Sequence, residues 1–266
     1  MIRLLKLTII LAVSAFAVSS ATAADEEVKW SQVPNMGTFG YSFASESAKP
    51  SAVADDFLCI DGAPVVAVRW WGSFYQPAAP AHFYPNSDNW DDPTTPTDVP
   101  NNMLAGFNIS FYADIAAGVD PMTPWGHPGN VLYQKNVSIN DISETLFGTV
   151  VHTGGKEQNV WEYYATLAVS PDLGFEQVDG YTYWISIQAI HGDQTVQWGW
   201  QEANYNSGWN SNAVQNGYSD IFEWNLIPNK DMAFELVTVE GDIPEPASLL
   251  TFSFITFCIF LRKRAR

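Results

Sequence analysis

Hydrophobic and polar residues alternate along much of the chain with a period of two. Residues 107–113, 161–167, 181–188 and 232–237 each carry apolar side chains at every second position. This spacing is typical of a β-strand with one face toward a core and the other toward water, as in antiparallel sheets. A helical period of 3.6 does not extend over ten residues between the two chain ends.

Shorter apolar runs predict further strands, and Gly, Pro and Asn turns separate them. These runs are residues 56–60, 65–75, 131–134, 146–151, 194–200 and 221–226. Two long loops are predicted at 76–103 and 114–129, the first with six prolines. We therefore expect an all-β fold, with a single antiparallel β-sandwich domain of jelly-roll-like topology.

The N-terminus differs from this pattern and predicts a secretory signal peptide. Arg3 and Lys6 precede an apolar run at residues 7–18, and Ala-Thr-Ala then matches the small-residue rule of signal peptidase. We expect a signal helix within residues 1–23, cleaved before Ala24. The alternative is an uncleaved anchor, for which the apolar run is short.

The C-terminus predicts a short membrane helix at residues 247–261. As a helix this run would be about 22 Å long, against a hydrocarbon core of about 30 Å. The basic residues that follow it, Arg262, Lys263 and Arg264, oppose translocation, so the tail should stay cytoplasmic with the body outside. The prediction divides the chain into a signal peptide, a body at residues 24–242 and an anchor at 243–266.

The end of the chain also resembles a known sorting signal. A Pro-Glu-Pro triplet, an apolar helix and a basic cluster follow one another, as in the PEP-CTERM family. The matching residues are Pro244, Glu245, Pro246, Arg262, Lys263 and Arg264. The resemblance implies a diderm bacterium that makes exopolysaccharide and an exosortase-type enzyme that processes the tail. It also implies transient membrane anchoring, then delivery to the cell surface or extracellular matrix. The alternative is a plain anchor with an accidental triplet.

A second resemblance covers most of the body. The stretches ADDFLCIDGAPVVAVRWWGSFY (54–75), GFNISFYADI, YTYWISIQA and DMAFEL are similar to an uncharacterised β-rich module of exported proteins with the same tail. This resemblance implies no activity.

The net charge limits the classes of partner that the body could bind, and the cysteine content limits its covalent cross-links. The chain has 29 acidic and 12 basic residues and a net charge of −17, and half of the basic residues lie in the terminal segments. This excludes nucleic acid and anionic membranes as partners of the body, and the simplest interpretation is a soluble acidic surface. Cys59 is the body's single cysteine, so no internal disulfide is expected, and its apolar neighbours predict a buried thiol.

The sequence offers little evidence for catalysis, and we predict that the protein is not an enzyme. No predicted strand carries an inward pair of carboxylates suited to glycoside hydrolysis, because Asp55 and Asp56 are adjacent and face opposite sides. A Gly-x-Ser-x-Gly nucleophile elbow is also missing.

The spacing of the possible ligands predicts no cofactor or metal site. The four histidines, His82, His127, His152 and His191, are scattered. The loop between Asp88 and Asp98 is rich in oxygen ligands and is a candidate for Ca²⁺, although it lacks the EF-hand pattern and a solvated acidic loop is the better explanation.

Tryptophan provides the clearest binding hypothesis, because its ring stacks on sugar faces while amides and carboxylates bind hydroxyls. The candidate ligand-binding residues are Trp71, Trp90 and Trp125. Trp198 and Trp200 alternate along one strand, so both rings could simply belong to the core. Two hypotheses follow: a non-catalytic surface or matrix protein, or a carbohydrate-binding module that recognises exopolysaccharide.

Overall fold

The computed structural model describes most of the body. The described residues are 26–38, 40–47, 51–75, 104–152, 155, 157–170, 173–191, 197–204, 211–216 and 224–239. The predicted signal helix, the predicted C-terminal helix and the loop from Asp88 to Asp98 lie outside these ranges. Among the described residues, no helix has the length and hydropathy needed to cross a membrane.

Within these ranges the chain is all-β, as its period of two predicts. The elements are β1 (Glu26–Gln32), β2 (Ser42–Ala44), β3 (Ala52–Leu58), β4 (Ala67–Tyr75), β5 (Leu104–Ile115), β6 (His127–Ser138), a 3₁₀ turn (Ile139–Asp141), β7 (Ile142–Val151), β8 (Glu157–Thr166), β9 (Thr182–His191), β10 (Gln197–Gln201), β11 (Val214–Asn216), β12 (Trp224–Leu226) and β13 (Phe234–Val239). Strands β1, β2 and β11 escaped the sequence prediction, because β2 and β11 are too short to show a period and β1 is mostly polar.

The strands form two antiparallel sheets. The six-stranded sheet has the order β12-β11-β3-β9-β5-β6. In the seven-stranded sheet, β4 pairs with β8 along one edge, and β7 extends that side. Along its other edge β4 pairs with two strands in line, β10 opposite its second half and β13 opposite its first half. Strands β2 and β1 continue the sheet beyond β10 and β13.

The main core lies between the two sheets and is unusually aromatic. The ring centroids of Trp70 and Phe107 lie 5.0 Å apart, although the two residues belong to different sheets. Tyr163 stacks on Trp70 at 5.5 Å, and Trp198 meets Phe107 edge-on at 4.9 Å. All four side chains are fully buried. We call these four residues the inner aromatic cluster.

Gly72 shows how closely this cluster is packed. A Cβ atom placed at Gly72 would lie 2.2 Å from Cζ2 of Trp198, on the strand that pairs with β4. Because real contacts do not reach that distance, the Trp198 indole occupies the space that a side chain would need. The glycine is therefore required by packing, rather than by an unusual backbone angle.

The sequence prediction of half-buried strands is wrong for the centre of each sheet. Strand β9 is buried on both faces over most of its length, and β10 is buried at all five residues. Side chains from distant parts of the chain cover the outer faces. Trp125, Trp224 and Leu226 pack on the six-stranded sheet, while Met36 and Ala203 pack on the seven-stranded sheet. Alternation within one strand cannot reveal such a cover.

The observed strand bounds also differ from the predicted ones. The run predicted at 56–60 is the end of β3, which begins four residues earlier. Beyond Leu58 the backbone of Cys59 leaves the sheet and bonds instead to Gly180 and Tyr181. Cys59 is completely buried, as its apolar neighbours predict. The predicted loop at 114–129 is shorter, because β5 continues to Ile115 and β6 begins at His127.

Candidate functional site

Trp71, the first predicted ligand-binding residue, is a packed residue. It lies on the face of β4 opposite Trp70, as the alternation predicts. Its ring is nevertheless only 3% exposed, because it meets Phe147 edge-on with the ring centroids 5.7 Å apart. The side chains of Val150 and Val160 complete its surroundings. The described neighbours of Trp71 thus leave no ring face open for a sugar.

The other tryptophans named by the sequence analysis lie in different places. Trp198 and Trp200 are fully buried, which agrees with the interpretation that their alternation reflects a core strand. Trp90 lies outside the described residues. Trp125 is half-buried on the outer face of the six-stranded sheet, where it packs with other aromatic residues.

Trp125 belongs to a group of aromatic and acidic side chains that the sequence analysis did not assemble. We call this group the outer cluster. Its members are Asp56, Tyr112, Asp114, Trp125, Trp184 and Trp224.

Strand register brings three members of the outer cluster into one row. Tyr112 on β5 and Asp56 on β3 are both direct cross-strand partners of Trp184 on β9. Directly opposed residues on one face lie within side-chain contact distance. Ala54 and Val214 pack beneath the same face, so that Trp184 is fully buried at the base of the cluster.

Hydrogen bonds fix the indoles of the cluster. The Nε1–H of Trp184 donates to Oδ1 of Asp114 at 2.8 Å. The Nε1–H of Trp125 donates to the backbone oxygen of Trp224 at 2.9 Å. The ring of Trp224 in turn meets Tyr112 edge-on, with centroids 6.3 Å apart. The indole N–H groups of Trp125 and Trp184 are thus both engaged within the protein. A ligand would therefore meet mainly the ring surfaces of Trp125 and Trp224.

The loop that carries Trp125 is held against the sheet at Gly126. A Cβ atom at this position would lie 3.1 Å from Oγ of Ser211 and 3.6 Å from Cζ2 of Trp184. The next residue, His127, is 5% exposed, and its Nδ1 donates to the backbone oxygen of Trp125 at 3.0 Å. These contacts orient the Trp125 backbone and with it the ring.

Asp56 is the electrostatically unusual member of the cluster. It is 3% exposed, and burial raises its pKa from 3.8 to about 7. A hydrogen bond from the backbone N–H of Ser211 to its Oδ2, at 3.0 Å, opposes the rise. The nearby carboxylates of Asp231 and Asp114 add to it. The side chain therefore exchanges its proton near neutral pH.

Asp55, next to it, points the other way, into the space between the sheets. Its Oδ2 accepts a hydrogen bond from the backbone N–H of Met232 at 2.6 Å. Complete burial raises the pKa of Asp55 well above its usual value, and Asp56 and Asp231 raise it further. The Met232 bond links this carboxyl group, on the six-stranded sheet, to the residues that lead into β13 of the other sheet.

Metal ligation has no support within the described ranges, where no three His, Cys, Asp or Glu side chains are arranged to hold an ion. Of the four histidines, His127 supports the outer cluster and His191 forms a buried pair with Glu46. His152 stacks on Tyr41, with ring centroids 5.6 Å apart. The contacts of these three histidines are therefore with neighbouring groups of the protein.

Comparison with known proteins gives a family for this body. A family model described as "Domain of unknown function (DUF7901)" matches residues 28–237. The chain belongs to this family. No curated protein matches the chain. The DUF7901 match begins in β1 and ends in β13, so that it includes both sheets and every residue of the outer cluster. The family description assigns no activity to these residues.

Sequence reasoning found Trp125 but missed its partners in the DUF7901 body. The alternation of Tyr183, Ile185 and Ile187 places Trp184 on the predicted water-facing side of its strand, and Trp224 was not singled out. Asp56 carried a usable signal, because two consecutive carboxylates interrupt the apolar run AVADDFLCI. Charged residues are rarely buried without a specific environment. The six residues of the predicted sorting motif lie outside the described residues.

Proposed function

We propose that this protein is a non-catalytic, exported protein of the cell surface or extracellular matrix, sorted through its C-terminal tail. The observation that carries the proposal is the order Pro-Glu-Pro, apolar run and basic cluster at residues 244–266. Signal peptidase would remove residues 1–23, and an exosortase-type enzyme would process the tail after transient anchoring. The pairing of Glu26 with Val239 supports this arrangement, because both ends of the body leave it side by side.

The jelly-roll assignment belongs to the same proposal and is supported by strand order. Four strands of one sheet, β2-β10-β4-β8, face four of the other, β3-β9-β5-β6. With β1, β7, β11, β12 and β13 set aside as added strands, this order matches that of an eight-stranded jelly roll and supports the assignment. Such domains commonly serve as recognition or capsid modules, so that the topology is compatible with a non-catalytic role.

Tail processing provides the direct test. In the native host, the double variant Pro244→Ala, Glu245→Ala should accumulate in the membrane fraction at its unprocessed size. The wild-type protein and the matched control Asp242→Ala, just outside the triplet, should be shortened. Immunoblots of membrane and extracellular fractions give the measurement. Normal shortening of the double variant would contradict the sorting proposal.

A carbohydrate-binding module is the second candidate, and the outer cluster favours it. Trp125 and Trp224 are both half-buried, so that part of each ring is accessible on one face of the body. Asp114 lies beside them as a half-buried hydrogen-bond acceptor. Aromatic surface combined with a few fixed polar groups is the usual chemistry of a small-molecule binding site. The ligand of this candidate is the exopolysaccharide of the producing cell.

Affinity electrophoresis tests this second function. The exported protein should be retarded in gels that contain exopolysaccharide, and Trp125→Ala should weaken binding about tenfold, which corresponds to roughly 1.4 kcal/mol. Phe147→Ala is the matched control, because Phe147 is an exposed aromatic residue on the other sheet. Equal retardation of both variants, or no retardation of the wild-type protein, would exclude the outer cluster as a sugar site.

A further inference from the structure

One end of the body carries a concentration of exposed apolar side chains. They lie on two loops, the β3–β4 loop at residues 59–66 and the β8–β9 loop at 167–181. The side chains are Ile60 (59% exposed), Val169 (92%), Leu173 (60%), Val178 (58%) and Tyr181 (63%). Single exposed apolar residues are ordinary, but five on two adjoining loops are typical of an interaction surface. We call these five residues the apolar end.

The two loops are held together, so that this exposure is built into the fold. The backbone N–H of Cys59 donates to Tyr181 at 2.9 Å, and that of Gly180 donates back to Cys59 at 2.8 Å. Val65 and Phe175 exchange two backbone hydrogen bonds, each 2.9 Å long. The ring of Phe175 stacks on Phe111 of the core, with centroids 4.4 Å apart. The apolar end is therefore a supported surface.

The chain leaves the body beside this surface. The backbone N–H of Val66, in the β3–β4 loop, donates to Val237 at 2.8 Å, and β13 ends two residues later at Val239. The apolar C-terminal run begins at residue 247. The seven intervening residues can span at most about 25 Å even when they are fully extended. When the run is inserted in a bilayer, the apolar end is thus held close to the bilayer surface.

The charges around the apolar end select the kind of lipid. Glu26, Glu176 and Asp179 are exposed on the same loops and on the adjacent start of β1. Among the described residues, two cations lie at these loops, and both are bound by protein oxygens. The ammonium group of Lys29 is buried and is bound by Asp61 at 2.6 Å, and half-buried Lys135 donates to the backbone oxygen of Leu167 at 2.5 Å. An acidic rim repels anionic headgroups but does not oppose contact with zwitterionic ones.

We propose that the apolar end inserts into the interfacial region of a zwitterionic bilayer while the C-terminal tail anchors the chain. This inference rests on the proposed anchoring and adds a fixed orientation of the body. Transfer of exposed aliphatic and aromatic side chains from water to the headgroup–acyl boundary lowers the free energy of the system. Because the C-terminal tail holds the body at the bilayer, the effective concentration of lipid near the apolar end is high. A small favourable free energy of insertion is then enough to orient the body.

Site-specific fluorescence tests the proposal in the chain that has lost its signal peptide and keeps its C-terminal tail, residues 24–266. A lipid-sensitive fluorophore is attached through Val178→Cys in the apolar end. The matched control is Val151→Cys, an exposed apolar position at the end of edge strand β7 that pairs with Glu157, at the opposite end of β8 from the β8–β9 loop. Both variants carry Cys258→Ser, and native Cys59 is buried. The proteins are reconstituted in phosphatidylcholine vesicles that contain spin-labelled lipid, and vesicle flotation reports anchoring independently.

In chains that float with the vesicles, we expect quenching at position 178 to be at least twofold stronger than at position 151. Flotation with equally weak quenching at both positions would overturn the insertion and leave the anchoring intact. Failure to float would overturn the anchoring and the insertion with it. A blue-shifted but unquenched signal at 178, with cross-links between chains, would identify a second copy as the occupant and overturn the lipid assignment.

The double variant Leu173→Asp, Val178→Asp provides a second measurement. In this variant the fluorophore is attached through Tyr181→Cys. Its quenching should be much weaker than that of the same label in a chain without the two aspartates. Flotation should stay unchanged, because the tail is intact. Retained quenching would contradict insertion through the apolar side chains.

Discussion

The inner aromatic cluster and the outer cluster use similar residues for different purposes. The inner cluster, around Trp70 and Trp198, is fully buried between the sheets and surrounded by apolar side chains. The outer cluster combines half-buried rings such as Trp125 with carboxylates such as Asp56. The indole N–H groups of Trp125 and Trp184 donate to defined oxygens, whereas the Nε1 atom of Trp70 has no hydrogen-bond partner within the described residues.

This difference teaches where a tryptophan-rich body can carry function. A ring that is packed on all sides contributes through apolar burial and cannot meet a ligand without unfolding. A ring fixed by one hydrogen bond at the protein surface keeps an open face and a defined orientation. The outer cluster is therefore the candidate for ligand recognition, and the inner cluster is the one that contributes to the stability of the fold.

The largest expected effect is on the inner cluster. Trp198→Ala should lower the free energy of unfolding by about 3–5 kcal/mol, because it leaves a large cavity among packed aromatic rings. Trp125→Ala is the matched comparison and should cost about 1 kcal/mol, since its ring is half-exposed and makes one indole hydrogen bond. Urea denaturation followed by circular dichroism measures both. Equal losses would remove the distinction between the clusters.

The next effect concerns the pH dependence that Asp56 confers. Because its folded pKa of about 7 lies above its unfolded value, the folded state holds an extra proton between about pH 4 and 7. This contribution to stability is present at low pH and is lost as the pH rises toward 7. Asp56→Asn stays uncharged and should keep the Ser211 hydrogen bond, so that its stability relative to wild type should grow with pH, by roughly 2–4 kcal/mol.

Urea unfolding of both proteins from pH 4.5 to 8 checks this expectation. Groups other than Asp56 titrate in both proteins, so that the difference between them isolates the buried carboxyl group and its coupling to Asp55, Asp114 and Asp231. A difference that stays constant across this range would show that Asp56 keeps an ordinary pKa in the folded protein.

The smallest expected effect lies within the outer cluster itself. Trp184→Phe removes the indole donor to Asp114 while it keeps most of the apolar contact, and it should cost about 1–2 kcal/mol. Trp161→Phe provides a comparison, because the Nε1 of Trp161 has no hydrogen-bond partner among the described residues. A larger loss for Trp161→Phe than for Trp184→Phe would contradict the role assigned to the Asp114 bond.

Much of the fold could be predicted from local pattern, and the candidate site could not. The alternation at 107–113 identified β5, and the apolar run at 65–75 identified β4 within two residues. The burial of both faces of β9 was missed, because the segments that cover it are distant in sequence. Trp125 was found by residue type. Its contacts with Trp224, 99 residues further along the chain, and with Trp184 depend on tertiary packing.

The sequence by itself determined the class of fold, the excess of negative charge and the position of a free cysteine. These properties follow from composition and from a period of two, which each strand expresses independently of its neighbours. Only the tertiary structure decided that Asp56, Tyr112 and Trp184 form one row, and that Ile60 adjoins Tyr181. Strand register and loop pairing join residues far apart in the chain, and the free energy that selects them comes from a core to which both sheets contribute.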